Sequence, residues 1–329
     1  MKLEALAESI RNFDGVKRKQ SIAISIKPLE ETLNLGNVKV IKSFGEDAAV
    51  FEVPNYDKDY FLLAMDGMWD KLVEADPWLA GYFSILVNVN DIVVKGGIPL
   101  SLLNIISATH DLLTKEIMDG IVEGCKKFSV PMVGGHYHPN ANYNSLAVAI
   151  LGKVEKSAVV FSDSAKDGDS ILMSIDMDGS FNTKFKYAFN TTQHKTPSQI
   201  STIYKAWWEI LKKGLVTAGK DISNPGILGT LGMLLDASEK GGHVNILNIP
   251  KIKNTDLETW LKAYPGYGVI FTSKKENVDK IKKIFSQASI ITEEIGTVEN
   301  SKKLIIEDGT SSAELFDFTK INLSGKSHI

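Results

Sequence analysis

The amino-acid sequence predicts an α+β protein of two domains. Three observations carry this. The chain has 329 residues, and at roughly 100–200 residues per domain that length favours two units. Strand-like and helix-like patterns alternate as β-β-α-β-α-β up to Val154. After a stretch between Val154 and Asp169 in which Ser, Asp, Lys and Gly cluster, a second alternation begins. The expected units are residues 1–154 and 166–329.

Each element has a local reason. MKLEALAESIRNF places Leu3, Leu6, Ile10 and Phe13 on one helical stripe. KRKQ, residues 17–20, is a short basic cluster, and a helix is expected around 28–35. AAVFEV (48–53) and YFLLAM (60–65) read as strands joined by a polar PNYDKD turn. From Pro77 to Lys95 the spacing predicts a helix, with Asp76 as its N-cap and Pro77 at its first position. A strand at 101–109, a helix at 115–128 and a strand at 145–154 complete the first unit. In the second, strands are expected at 170–176, 243–247, 268–272, 289–295 and 303–306. Helices are expected there at 197–213, 226–239, 255–263 and 275–286.

The composition narrows the function. A formal net charge of −3 gives no overall basic field, which argues against general nucleic-acid affinity. A single cysteine, Cys125, allows no intramolecular disulfide and fits a reducing, cytoplasmic setting. The first residues lack the long apolar core of a signal peptide. No run of 18 or more uncharged apolar residues is present, so no membrane span is expected.

Five stretches could carry chemistry. On the apolar helix 77–95, Ser84, Asn88, Asp91 and Lys95 share one face. A polar stripe on a buried helix needs partners, because burying an unpaired carboxylate costs several kcal/mol (an order of magnitude). Two readings stand: an Asp91–Lys95 pair at i,i+4, or a stripe that faces a ligand or metal. Glu46 and Asp47 lie where a turn enters a strand, and Asp66 directly follows a strand, a place that opens onto the rim of a sheet. In KDISNPG, Asp221, Ser223 and Asn224 precede a helix, with Asn224 as the expected cap before Pro225; a helix start also favours anions. VPMVGGHYHPN sets His136 and His138 on one side of an extended segment. Two histidines can hold zinc, but a third ligand is needed. Gly134 and Gly135 permit a tight turn and close approach of backbone to a ligand. The remaining histidines, His110, His194, His243 and His328, have no patterned neighbours and are read as surface or packing residues. Neither a P-loop, a Rossmann fingerprint nor a GxSxG elbow occurs.

Taken together, GEDAAV, MDGM, VNVNDIVVKGGIP, VGGH and KDISNPG, in this order, resemble the aminoimidazole ribonucleotide synthetase superfamily. That superfamily includes thiamine-monophosphate kinase, selenophosphate synthetase and a hydrogenase maturation factor. Within it, AMDGMW, PMVGGHYHP and LVTAGKDISNPGILGTLGMLL are most similar to the methanogenesis marker 2 family. The resemblance implies the superfamily's two-domain fold, with an N-terminal domain that forms a barrel across a homodimer. It also implies Mg²⁺ and ATP bound without a P-loop, and phosphoryl transfer to, or activation of, a small acceptor. By position it makes Asp47, Asp66 and Asp91 metal ligands. Glu46, Asn88, Gly134, Gly135 and Asn224 become nucleotide contacts, and Asp221 and His136 candidate catalytic groups. Converging carboxylates suit a hard cation that neutralises triphosphate oxygens.

This sequence also departs from the superfamily pattern. His136 stands where the kinase branch has aspartate, and Asn224 replaces the second aspartate of D-x-S-D-G. Asn90 replaces the serine of N-x-S-D, and Lys95 occupies a position that is usually small. The glycine-rich, lysine-bearing amino-terminal loop of the selenophosphate branch is absent. Lys17, Arg18 and Lys19 either cover phosphates in its place or form a solvated basic turn. Trp69, Trp78, Tyr137 and His138 are candidates for an acceptor pocket or for packing. The lower carboxylate count leaves room for a second reading, a nucleotide-binding assembly or regulatory protein with little turnover.

Overall fold

The structure is a computed structural model and describes residues 2–326. Its chain begins with α1 (Leu3–Arg11), α2 (Asp14–Gln20) and α3 (Ile22–Ile26), followed by a 3-10 turn at Lys27–Thr32. The helix expected around 28–35 is therefore corrected to that short 3-10 turn. None of its residues is buried, so no packing face extends it into an α-helix.

The first sheet contains β1 (Lys39–Lys42), β2 (Ala49–Glu52), β3 (Asp59–Gly67), β4 (Ile98–Ser107), β5 (Met132–His138) and β6 (Ser145–Glu155). Helices α4 (Asp70–Ala75), α5 (Pro77–Val94) and α6 (Asp111–Phe128) intervene. The strand order is β1-β2-β3-β6-β4-β5. All pairs are antiparallel except β4 and β5, whose parallel pairing needs the α6 crossover. The expected β-β-α-β-α-β order is present, with β1, α4 and β5 added to it. Gly134 and Gly135 are thus corrected from a turn to the middle of β5, an edge strand.

Helix α5 starts as its sequence dictates. Asp76 accepts a bond from the Leu79 amide at 3.1 Å, and Pro77 occupies the first turn. It is long and apolar enough to cross a membrane by length and composition, but 83% of it is buried inside this fold. It crosses α6 almost backbone to backbone. A Cβ on Gly81 would stand 2.1 Å from the Ile117 carbonyl oxygen, and one on Gly120 would stand 2.0 Å from that of Trp78.

The second sheet is built from β7 (Ser170–Ile175), β10 (Ala218–Asp221), β11 (Gly241–Asn245), β13 (Gly268–Ser273), β14 (Ile291–Glu299), β15 (Lys303–Glu307) and β16 (Ser312–Asp317). Its order is β10-β13-β7-β14-β11-β15-β16. A small sheet pairs β8 (Ser180–Phe181), β9 (Ala188–Asn190) and β12 (Tyr264–Pro265). Helices α7 (Pro197–Lys212), α8 (Gly226–Ala237), α9 (Leu257–Leu261) and α10 (Val278–Gln287) cover these strands. The N-terminal stripe Leu3, Leu6, Ile10 and Phe13 joins this second core, where α1 packs on β16 and α9 and α2 packs on α8. Helix α8 begins at Gly226 with Pro225 before it and no side-chain cap, which corrects Asn224 as the cap. Gly226 adopts φ +76 and turns the chain at that point, so the Asn224 side chain is left for the cleft described next.

Candidate active site

A cleft of about 230 Å³ opens where the two sheets meet. Asp47 enters it from the turn before β2, Asp66 from the end of β3, Asp91 from the last turn of α5, and Asp221 from the end of β10. Asp47, Asp91 and Asp221 each offer an oxygen within 4.8 Å of the others. Asp66 lines the same cleft without belonging to that close trio.

Two buried lysines brace one side. Lys95 Nζ donates to Glu46 Oε2 at 2.5 Å and to Ser162 Oγ at 2.6 Å. It lies 3.1 Å from Asp47 Oδ2, which forms no hydrogen bond there. Lys220 donates to Asp47 Oδ1. Glu46 also accepts the Ser162 amide on both oxygens, at 3.0 and 2.9 Å. Glu46 is therefore a brace that fixes the Asp47 turn, with its lone pairs largely committed. The Asp91–Lys95 pair, one of the two readings of the polar stripe, is not what forms. Lys95 is the C-cap residue of α5 and Gly96 follows with φ +85, so the chain leaves the helix and the ammonium turns to Glu46. Asp91 keeps its carboxylate for the cleft.

Burial and mutual repulsion set the protonation of these groups. Burial, followed by the charges of Asp66, Asp221 and Asp47, raises the Asp91 carboxyl well above the ordinary aspartate range. Burial and then Asp47 push Asp221 up to about 8. Asp66 is raised by burial, partly offset by Lys19. Burial also pushes Asp47 upward, but Lys220 and Lys95 outweigh it and hold that carboxyl low. Crowded, buried carboxylates of this kind fit a hard divalent cation, whose charge removes the repulsion and whose preference is for oxygen. Asp47, Asp91 and Asp221 are residues that could hold one.

The other nominated residues fall into two groups. Asn224 lines the cleft, and its Oδ1 is buried without a partner, as an acceptor awaiting a donor would be. Asn88 is fully buried and lies off the cleft wall; its Nδ2 donates to the Ser84 carbonyl of its own helix at 2.8 Å, and its Oδ1 is buried without a partner. Gly134, Gly135 and His136 also lie off the wall of this chain's cleft, on exposed β5. Strand register places His136 level with Ile105, Ala147 and Gly67, three strands across from the cleft, or about 14 Å at the usual strand spacing. His136 and His138 stack edge to face at 4.5 Å, but among the described residues no third ligand makes a metal group with them. Trp69 lines the cleft, whereas Trp78 stacks on Tyr82 and Tyr137 meets Thr114. His110 caps α6, His194 pairs with Asp178, His243 faces Glu307 at 3.8 Å, and His328 lies outside the described residues.

Lys220 belongs to the cleft although no motif in the sequence points to it, and Lys17, Arg18 and Lys19 lie in helix α2, not in a solvated turn. A lysine inside the buried strand Ala-Gly-Lys-Asp is a signal in itself, since a buried ammonium demands a carboxylate partner. Lys19 reaches the cleft from α2, half-buried.

The N-terminal domain model of the AIR synthase related proteins matches residues 45–154, and the C-terminal domain model of the same proteins matches 149–309. An uncharacterized protein of Methanocaldococcus jannaschii is 43% identical over 329 residues, covering 99% of this chain and 100% of that protein. An uncharacterized protein of Synechocystis is 30% identical over 315 residues, covering 94% of each. Among solved structures, T. maritima PurL complexed with ATP superposes with a TM-score of 0.71 at 15% identity. It covers 88% of this chain and 48% of its own, so the present chain spans about half of that protein. AaThiL complexed with AMPPCP and TMP superposes with a TM-score of 0.64 at 18% identity, covering 89% of this chain and 96% of its own. At such identities the two structures establish the shared fold.

Proposed function

Because this chain belongs to the AIR synthase related protein family, we propose that it is a Mg²⁺- and ATP-binding enzyme. The reaction is phosphoryl transfer to, or ATP-driven activation of, a small acceptor. The carrying observation is the trio Asp47, Asp91 and Asp221, three cleft carboxylates from separate elements within 4.8 Å. Support comes from the likeness to PurL solved with ATP and to AaThiL solved with AMPPCP. Bound Mg²⁺ would neutralise phosphate charge and fix the phosphates in line. The chain's own part is positioning. Glu46 and Lys95 hold the Asp47 turn, Lys220 orients Asp47, and Asn224 offers an acceptor from the second half of the cleft. Asp221 and His136 are the candidates for proton transfer. The acceptor, an oxygen or sulfur nucleophile, would meet the apolar wall of Trp69, Met68 and Tyr264. A pathway confined to methanogens is a narrower reading than a whole-length relative in Synechocystis favours.

A homodimer belongs to the same proposal. One face of the first sheet leaves Leu63, Met65, Leu103, Ile105 and Val133 exposed, which is an unusual amount of apolar surface for a single chain. Twofold pairing of these faces would cover them. It would also bring Gly134, Gly135 and His136 of one copy, which lie in the rows of Met65, Asp66 and Gly67, towards the cleft of the other.

The second reading, a nucleotide-binding regulator with little turnover, is favoured by Asn224 and His136 in place of aspartates. Calorimetry with Mg²⁺–AMPPCP tests binding, and ADP release with a fraction of cell metabolites tests turnover. Binding without ADP release across broad acceptor screens selects the regulator. Absence of binding in the wild-type chain, or unchanged Mg²⁺-dependent binding in Asp91→Ala, rejects the metal cleft.

A further inference from the structure

We propose that a cavity on the seam between the two halves, separate from the carboxylate cleft, is a second binding site that takes a small organic monocarboxylate with an apolar body. The inference stands apart from the nucleotide reading and goes beyond it.

The cavity measures about 540 Å³, more than twice the cleft of about 230 Å³, and shares no lining residue with it. Its size falls within the roughly 300–1,000 Å³ usual for small-molecule pockets, which favour the junctions between domains. One wall comes from the first half of the chain: the turn at Gly96, Ile98 at the start of β4, and Val154 near the end of β6, with Ala158 just beyond. The facing wall is α7, through Lys205, Trp208 and Lys212. Ile98 is half exposed there, and Val154 and Ala158 are buried beneath it. The indole Nε1 of Trp208 is buried with no acceptor, and buried donors seldom stay unpaired.

The charges on the rim select the ligand. Four lysines and three carboxylates line the cavity. Asp59 pairs with Lys153 at 3.5 Å, Glu155 with Lys212 at 3.0 Å, and Glu209 with Lys213 at 3.4 Å. Lys205 is left over: it makes no hydrogen bond or ion pair among the described residues. One free ammonium therefore stands beside an apolar wall. A cation is repelled there, and a polyanion would need more than one free lysine. A single carboxylate on an aliphatic or aromatic body matches both the charge and the wall.

The cavity also lies one residue from the brace of the acidic trio. Gly96 directly follows Lys95, whose ammonium holds Glu46 and lies against Asp47. A Cβ on Gly96 would stand 2.5 Å from the Ala158 carbonyl oxygen, so this turn has no slack. On α7, Trp207 precedes Trp208 and donates from Nε1 to the Val94 carbonyl at 3.1 Å. A ligand that presses on α7 or on the Gly96 turn acts on the residues that carry Lys95.

The test is calorimetric titration of the full chain with octanoate and with octylammonium, which puts the opposite charge on the same body. Octanoate is expected to bind the wild type, and octylammonium to bind at least about tenfold more weakly. Lys205→Glu should weaken octanoate by about tenfold, because it removes one attraction and adds one repulsion, and should not weaken octylammonium. Ile98→Asp should weaken octanoate as well, by placing a charge in the apolar wall. Amide exchange with octanoate bound should slow over residues 94–98 and 205–213 and stay unchanged over 132–138 on the open sheet face. No binding of octanoate at millimolar concentration overturns the proposal. So does binding that Lys205→Glu leaves unchanged, or protection confined to the open face. Lys205 is exposed, so its reversal should leave the fold intact; thermal melts check this, and Lys205→Gln takes its place should that variant not fold.

Discussion

The two faces of the six-stranded sheet obey different rules. On one, Leu62, Ala64, Leu102, Ile106, Val148 and Ile150 are buried, and α5 and α6 cover that side. On the other, Leu63 and Leu103 are about half exposed and Met65 and Val133 more so. Strand β6 alternates half-buried and buried residues along nearly its whole length, as a sheet covered on one side must. The covered face is finished within one chain, and the buried ends of its elements supply the carboxylates. The open face carries the Gly-Gly-His segment and leaves its apolar residues to solvent within the single chain, and it is the face the proposed homodimer would cover.

Breaking the finished side should cost most. Lys95→Met leaves Glu46 and Asp47 buried without their shared cation, and a loss of about 3–5 kcal/mol is expected in urea unfolding. A loss under about 1 kcal/mol would mean that Ser162 and Lys220 hold the turn without it. Gly81→Val drives a side chain into the Ile117 carbonyl and should cost about 1–3 kcal/mol or more by parting α5 from α6.

A smaller effect is expected at the seam between the halves. Asp163 accepts from Lys42 at 2.6 Å and from Lys326 at 2.8 Å, and both lysines are more than a third exposed. Burial pushes its carboxyl upward, but Lys326 and Lys42 outweigh that and hold it below its ordinary 3.8. A depressed carboxyl stabilises the fold above its unfolded pKa and loses that contribution as pH falls through the folded value. Asp163→Asn should therefore cost about 1 kcal/mol or less at neutral pH, and the deficit should close below pH 3.8. A deficit that persists in acid would assign the effect to packing.

On the open face, Leu103→Asp should change the fold of the single chain by less than about 0.5 kcal/mol yet shift assembly from dimer to monomer. Sedimentation of wild type as a monomer at all concentrations would end the pairing proposal.

Much of the cleft was legible because it depends on local signals. Asp66 follows a strand, Asp91 recurs at helical spacing on a buried helix, and Asp76–Pro77 announces where that helix starts. The missing pieces depend on distance. Lys220 meets Asp47 across 173 residues and Lys95 meets Glu46 across 49, and no periodicity predicts either. Asn88 has the right spacing, but it lies off the cleft wall and its Nδ2 is taken by the Ser84 carbonyl of its own helix. In β5 the glycines read as a turn, because Gly-Gly breaks the run of side chains that marks a strand in Met-Val-Gly-Gly-His-Tyr-His. Sequence order puts the first helix with the N-terminal unit, whereas its apolar stripe packs among residues of the C-terminal half.

That packing also sets a timetable for synthesis. Arg11 donates to the Glu314 carbonyl, a bond between residues 303 positions apart, and α1 packs on β16. While the ribosome makes the intervening chain, Leu3, Leu6 and Ile10 lack the strand β16 on which α1 packs. Such distant contacts slow folding and leave apolar segments open to association. Helix α1 can thus take its place only when the last strand has emerged, whereas α8, the seat of α2, is made well before it.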